Sequence, residues 1–244
     1  MPTAVTEASF STLAPARVQR AAVVEAGVRV RIWDLPTRVF HWSLAASLVG
    51  LTATGYAGGA WMAWHARIGS LLLALLLFRV VWGFIGGRWS RFVNFVPTPG
   101  ALKRYLRGPA TPEQDAGHSP LGALSILAMM AVLLGQAVTG LLGDDGGGFT
   151  GPWNELVSSA TGFAATALHK QVGQWLLFAL VLLHVLAIVF YRVVRRRKLV
   201  RAMLDGDKLL PRRVPPARDD ARSRALATAV LLACLCVVGF VTGF

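Results

Sequence analysis

Apolar positions gather into five long runs, near Val39–Gly58, Ile68–Ile85, Leu121–Leu142, Val172–Tyr191 and Ala225–Phe244. Segments rich in Arg, Gly and Pro separate them. About 20 helical residues cross a hydrocarbon core about 30 Å thick. Lipid offers free backbone groups no partner, so each run predicts a membrane-crossing helix. Pro36 suits the first turn of the first helix, where a missing N–H costs nothing. Gly55, Gly58 and Gly59 allow a short turn into the second. The Gly143–Leu168 loop, with its Gly146–Gly148 run, predicts a short amphipathic helix around Glu155–Ala167. No internal repeat of useful length stands out. Trp33, Trp42, Trp64, Trp82, Trp89 and Trp153 read as aromatic-belt residues at the lipid–water boundary.

Composition agrees. Of 244 residues 55% are hydrophobic and 15% charged, with a mean hydropathy of +0.54. This excludes an ordinary soluble domain. The net charge of +13 is unevenly placed. The segments up to Arg38, from Arg88 to Arg107 and from Arg192 to Arg224 hold 22 of the 25 Lys and Arg residues. The positive-inside rule puts those segments and the N-terminus in the cytoplasm, and five crossings put the C-terminus in the periplasm. Cations beside spans meet anionic lipid headgroups, so nucleic acid is not the expected partner. The organisation expected is a cytoplasmic tail over 1–30, a helical domain over 31–205, a basic linker over 206–224 and an extra transmembrane helix over 225–244. The tail lacks the apolar core of a signal peptide.

Four of the five histidines lie near the ends of apolar runs or inside them: His41, His65, His169 and His184. His169 and His184 are 15 residues apart, about 22 Å along a helix and about 60° round it, so they share a side. Threading the spans alternately makes His41 level with His184 near the cytoplasm, and His65 level with His169 near the outer face. No other pairing is level. Neutral imidazole is a strong axial ligand for haem iron, and two of them leave no open coordination position. Two level pairs therefore predict two haems, with irons about 20 Å apart by helix rise. Cys234 and Cys236 are the only cysteines and no Cys-x-x-Cys-His occurs, which excludes covalent c-type attachment.

Arg79 interrupts the second run at about the depth of the His41/His184 pair. A charge there needs an anion or a route to the headgroups. Either it binds a haem propionate or it snorkels to the cytoplasmic surface. Arg67, two residues after His65, would serve the outer haem in the same way. His118 precedes the third run without a level partner, as a helix-opening residue or as part of a quinone or proton site. Gln136 predicts an interhelical hydrogen bond.

An ordered set of motifs resembles the bacterial cytochrome b561 and nickel-hydrogenase b-type cytochrome family. They are WDLPTRVFHW at Trp33–Trp42, WHARIG at Trp64–Gly69, LLLFRVVWGFIGGRWSRF at Leu75–Phe92, HSPLGAL at His118–Leu124 and LHKQVGQWLLFALVLLHV at Leu168–Val185. The resemblance covers about residues 30–205. It implies an all-α integral membrane four-helix bundle holding two non-covalent haem b groups, whose ligands fall on His41, His65, His169 and His184. Two departures stand out. The His169–His184 interval is one residue longer than the family spacing, which a small helical irregularity would absorb. The fifth helix adds to the four-helix core, as an anchor or docking helix.

The expected function is transmembrane electron transfer in a bacterial inner membrane. Electrons would pass between the quinone pool and a redox partner: a hydrogenase, another dehydrogenase or a soluble cytochrome c. The alternative is a transporter or channel whose histidines bind a metal ion or relay protons. The spans lack the Asp and Glu that such pathways commonly employ.

Overall fold

The computed structural model describes residues 27–108 and 116–243. The tail expected over 1–30 lies outside the described residues as far as residue 26; its last residues open a short strand, β1 (Val28–Arg31). The long helices are α1 (Leu35–Ala57), α2 (Met62–Ile85), α4 (Pro120–Leu142), α6 (Gln174–Val193) and α8 (Ala221–Thr242). Shorter ones are α3 (Pro99–Arg107), α5 (Ser159–Ala167) and α7 (Leu199–Asp205), and a second strand, β2, spans Asp207–Leu210.

Among the described residues four stretches are long and apolar enough to cross a membrane: Gly59–Ile85, Pro120–Leu142, Ser159–Val193 and Ala221–Thr242. Helix α1 has the length, at 23 residues. Arg38, His41, Ser43, Ser47, Thr52 and Thr54 keep its hydropathy lower than theirs. The helix expected around Glu155–Ala167 exists as α5, but it is not separate. A π-helical turn over Leu168–Gly173 joins it to α6 in one helical stretch of 35 residues.

Caps explain where the helices begin. Asp34 Oδ1 accepts the Thr37 amide at 2.8 Å, with Pro36 in the first turn of α1. Ser119 caps α4 through the Gly122 amide, again ahead of a proline. Asp220 caps α8 through the Ser223 amide at 2.7 Å. Such caps contribute about 1 kcal/mol each.

Helix α1 packs on α2, α2 on α4 and α4 on α6, while α8 lies along α2 and touches α1. The apolar interior has two parts. Leu72, Leu76, Leu133 and Leu177 form a layer with Leu44, Leu48, Leu51, Val132 and Val181, drawn from α1, α2, α4 and α6. Phe40, Leu75, Phe78 and Trp82 pack against Ala227 and Cys234 of α8. Expected as an extra anchor or docking helix, α8 is thus built into the wall of the bundle.

The basic end of the bundle carries a small cap. β1 and β2 pair antiparallel, with Val28 opposite Leu210. Val30, Ile32, Trp33, Trp89, Leu210, Val214 and Ala217 bury a core of their own. The 206–224 segment, expected as a linker, supplies β2 and three of those residues. Asp219 ties the cap together, meeting Arg31 at 2.7 Å, Arg224 at 3.0 Å and the Leu35 amide at 3.1 Å. Trp33, Trp82 and Trp89 are buried, so the belt reading is corrected for these three. Two of their indole N–H groups find acceptors inside: Trp82 reaches Asp34 Oδ2 at 3.4 Å, and Trp89 reaches the Pro215 carbonyl at 3.0 Å. This is the capped end of the bundle, and the opposite end is the far end.

Candidate functional site

The imidazoles of His65 and His169 face each other near the far end, ring centres 6.1 Å apart and planes at 71°. Each is held by the preceding long helix. His65 Nδ1–H donates to the Leu51 carbonyl on α1 at 3.0 Å, with Thr54 Oγ1 at 3.3 Å. His169 Nδ1–H donates to the Gln136 carbonyl on α4 at 3.0 Å, with Thr139 Oγ1 at 3.2 Å. A carbonyl only accepts, so Nδ1 carries the proton and Nε2 keeps its lone pair. Both rings are therefore fixed in the tautomer and orientation of a ligand whose second nitrogen is tied down.

The two cradles match atom for atom. Thr54 donates its hydroxyl to the Gly50 carbonyl at 2.7 Å and Thr139 to the Gly135 carbonyl at 2.8 Å. A Cβ on Gly55 would lie 3.1 Å from His65 Cε1, and one on Gly140 would lie 3.3 Å from His169 Cε1. A Cβ at either position would crowd the ring edge, which would have to give by a few tenths of an ångström. The residues responsible are GLTATG at Gly50–Gly55 and GQAVTG at Gly135–Gly140. This Gly-x-x-x-Thr-Gly repeat is an internal repeat that sequence reading passed over. It was visible as two copies, each in the helix before a histidine-bearing span.

The π turn begins beside His169 and supplies the irregularity that the longer His169–His184 interval needs. Gln136 Nε2 donates to the His169 carbonyl at 3.2 Å, the interhelical bond expected of it. Its side-chain oxygen lies against Gly173 in the same turn.

At the capped end, His41 on α1 and His184 on α6 are both half-buried, and among the described residues no ring contact joins them as one joins His65 and His169. His41 Nδ1 is sealed from solvent without a hydrogen-bond partner among the described residues. Arg79 is buried too, its guanidinium over the rings of Phe92 at 5.0 Å and Phe95 at 5.6 Å. Its Nη1 also lacks a hydrogen-bond partner among the described residues. Arg79 therefore points into the protein and does not snorkel. His118 sits between Trp33 and Phe95, 4.6 and 4.8 Å between ring centres. Burial, then the Lys208 and Arg79 cations, push it down to about 3, so it is neutral at physiological pH. Arg67 lies over Trp64 at 5.2 Å and faces α8 instead of the histidine pair.

The central leucine and valine layer separates the two histidine levels. Among the described residues no three or more His, Cys, Asp or Glu side chains gather as a metal-ion site. Two opposed imidazoles suit a group that brings its own equatorial ligands. Two metal–imidazole bonds of about 2 Å, each followed by about 1 Å to the ring centre, require centres about 6 Å apart. The far pair meets that requirement.

Residues 32–206 match the family described as prokaryotic cytochrome b561. The chain belongs to this family. Cytochrome b561 membership implies haem b and membrane electron transport, and it matches the far pair's fitness for a haem. Three relatives are each named as a probable Ni/Fe-hydrogenase b-type cytochrome subunit. The one from Rhizobium leguminosarum bv. viciae is 24% identical, covering 74% of this chain and 89% of that protein. The one from Azotobacter vinelandii is 27% identical, covering 72% and 87%. The Escherichia coli K12 protein, named for hydrogenase 1, is 23% identical over 72% and 88%. No solved structure matches the chain. The family match ends at residue 206, so β2 and α8 lie beyond it.

Proposed function

We propose that this cytochrome b561 carries electrons across a bacterial inner membrane through two haem b groups. His65 and His169 hold one near the periplasmic face; His41 and His184 hold the other beneath the cytoplasmic cap. In this reading α1 crosses the bilayer with the four more apolar helices, so the N-terminus is cytoplasmic and the C-terminus periplasmic. The observation that carries it is the far pair: 6.1 Å between ring centres, with both Nδ1–H groups already committed to carbonyls.

Haem b supplies a one-electron iron couple. The chain's residues do the rest. His41, His65, His169 and His184 would hold the iron of the two groups, and two imidazoles on each would keep oxygen and substrates off the metal. The Leu51 and Gln136 carbonyls aim the far pair. The central aliphatic layer keeps water from the space between the levels. Arg79, buried with an unpaired Nη1, neutralises a propionate of the haem beneath the cap. The relatives' names point to a hydrogenase as the redox partner; in this reading it delivers electrons at the periplasmic end and quinone accepts them.

A pyridine haemochrome count on the purified full chain tests this, together with a reduced-minus-oxidised spectrum. Two haems per chain and a b-type α-band are expected. One haem would break the two-level reading while keeping the carrier. No haem would overturn it.

A further inference from the structure

The seam between α2 and α8 is closed at one end and open at the other. Toward the cap, Leu75, Phe78 and Trp82 pack directly on Ala227 and Cys234. Toward the far end the same helices part around a groove of about 450 Å³. Arg67, Ser70, Leu71 and Ala74 line it from α2, and Leu235, Val238, Gly239 and Gly243 from α8. On α2 these residues fall at i, i+3, i+4 and i+7, a single helix face.

Three observations say what fits there. Arg67 stands at the groove's outer lip, propped on the exposed ring of Trp64, and no carboxylate pairs with it among the described residues. It is one of only three cations outside the basic segments of the chain, so its place goes against the prevailing charge pattern. Ser70 is 8% exposed and its hydroxyl, buried in the groove wall, has no hydrogen-bond partner among the described residues. Beyond Ser70 the lining is apolar or without side chains: Ala74, Leu235, Val238 and Gly239.

The sequence of chemistries with depth is cation, hydroxyl donor, then hydrocarbon. The step from Arg67 to Ser70 is about 4.5 Å along the helix. A headgroup layer is about 5–7 Å deep on each side of the hydrocarbon core. We propose that the groove holds one anionic phospholipid of the far leaflet. Arg67 binds its phosphate, Ser70 donates to an ester carbonyl, and an acyl chain lies along Ala74 and Gly239. The lipid completes the packing of α8, which lies outside the family match, onto the helices inside it.

A quinone fits the position less well. Arg67 and Ser70 lie about 200° and about 140° round α2 from His65, so the helix body stands between the groove and the histidine pair. An occupant here is placed for structure and not for electron exchange.

The test uses the full haem-loaded chain in nanodiscs of phosphatidylcholine with a minor share of phosphatidylglycerol. Native mass spectrometry after release reads the lipid retained. One phosphatidylglycerol per chain is expected, outlasting phosphatidylcholine. Arg67→Gln should weaken retention about fivefold, the worth of one cation at a headgroup surface. Ser70→Ala should weaken it less, and Gly239→Leu should abolish it by filling the groove. Should Gly239→Leu fail to assemble, the first two variants decide. Retention equal in the wild type and Arg67→Gln overturns the proposal, as does equal retention of phosphatidylcholine. Displacement of the lipid by inorganic phosphate would mean a bare anion site and also overturns it. So would a shift in a haem potential with lipid retention unchanged, which would return Arg67 to the far haem.

Discussion

At the far end, His65 and His169 each give an Nδ1–H to a main-chain carbonyl one helix away. At the capped end, His41 Nδ1 is sealed without a partner and the nearby polar group is a buried cation, Arg79. The far level is shaped by backbone: two helices, two carbonyls, two glycines. The capped level is shaped by charge, with Arg79 set among Phe92, Phe95 and His118. A site held by main-chain atoms is ready before its cofactor arrives, whereas unpartnered buried donors wait for an anion to complete them. The two levels should therefore respond to different kinds of substitution.

The largest effects come from the histidines. His65→Ala or His169→Ala should reduce the haemochrome count by about half, because one imidazole alone holds a non-covalent haem poorly. His41→Ala or His184→Ala should remove the other half. Independent levels predict that each variant spares the other haem's redox midpoint. Loss of both haems from any single variant would mean that the two sites fold as one.

The glycines probe the far level alone. Gly55→Val or Gly140→Val drives a side chain into an imidazole already within about van der Waals contact of the backbone. Haem affinity at that level should drop about 10–100-fold, the usual cost of disturbing the group that orients a ligand. Both glycines lie in the last turn of their helices, where Ala favours the helix by up to about 1 kcal/mol over Gly. Gly→Ala should thus show milder haem loss without loss of helix by circular dichroism. Unchanged haem content in both Val variants would remove the cradle from the argument.

Much of this was legible from spacing. Long apolar runs located the long helices, and alternation of direction paired His65 with His169. What spacing did not reveal was the cap. β1 and β2 are four residues each and lie more than 170 residues apart in sequence. Neither strand carries a local signal strong enough to stand out from a basic linker. Buried Trp33, Trp82 and Trp89 were misread because an indole near a span end looks the same whether it faces headgroups or Asp34. The two Gly-x-x-x-Thr-Gly copies went unread for a different reason. Small residues in a span suggest close packing in general, and only the structure ties each copy to one histidine ring.

Arg79 sharpens the comparison from the other side. Replacing it with Leu removes a buried positive charge near the capped level. A cation disfavours the extra positive charge of oxidised iron, so its loss should lower the midpoint of that haem alone. About 60 mV, a tenfold change in a one-electron equilibrium, is a reasonable scale. Arg79→Lys should recover part of the shift, since the charge returns without the guanidinium's paired donors. A redox titration resolving two components checks both. Equal shifts in the two components, or none, would detach Arg79 from the capped haem.

The smallest effect is expected from acid, and it too should be confined to one end. Burial opposes the charge on Asp219, but donors on Arg224, Leu35 and Arg31 outweigh it and hold the carboxyl below the usual carboxylate range. A group whose folded pKa is depressed stabilises the fold above its unfolded value, about 4, and that stabilisation fades as pH falls through the folded value. Between neutral pH and about 5 the cap should therefore be indifferent to pH. Below about 4 the Arg31–Asp219–Arg224 junction should weaken, loosening β1 against β2. Amide exchange at Val28–Arg31, corrected for the intrinsic pH dependence, should quicken there while amides around Gln136–Gly140 stay protected. Asp219→Asn should show the faster exchange already at neutral pH, because the amide cannot pair with two guanidinium groups as the carboxylate does. Equal quickening at both ends would mean that acid acts on the whole bundle and that the charge-built end has no weakness of its own.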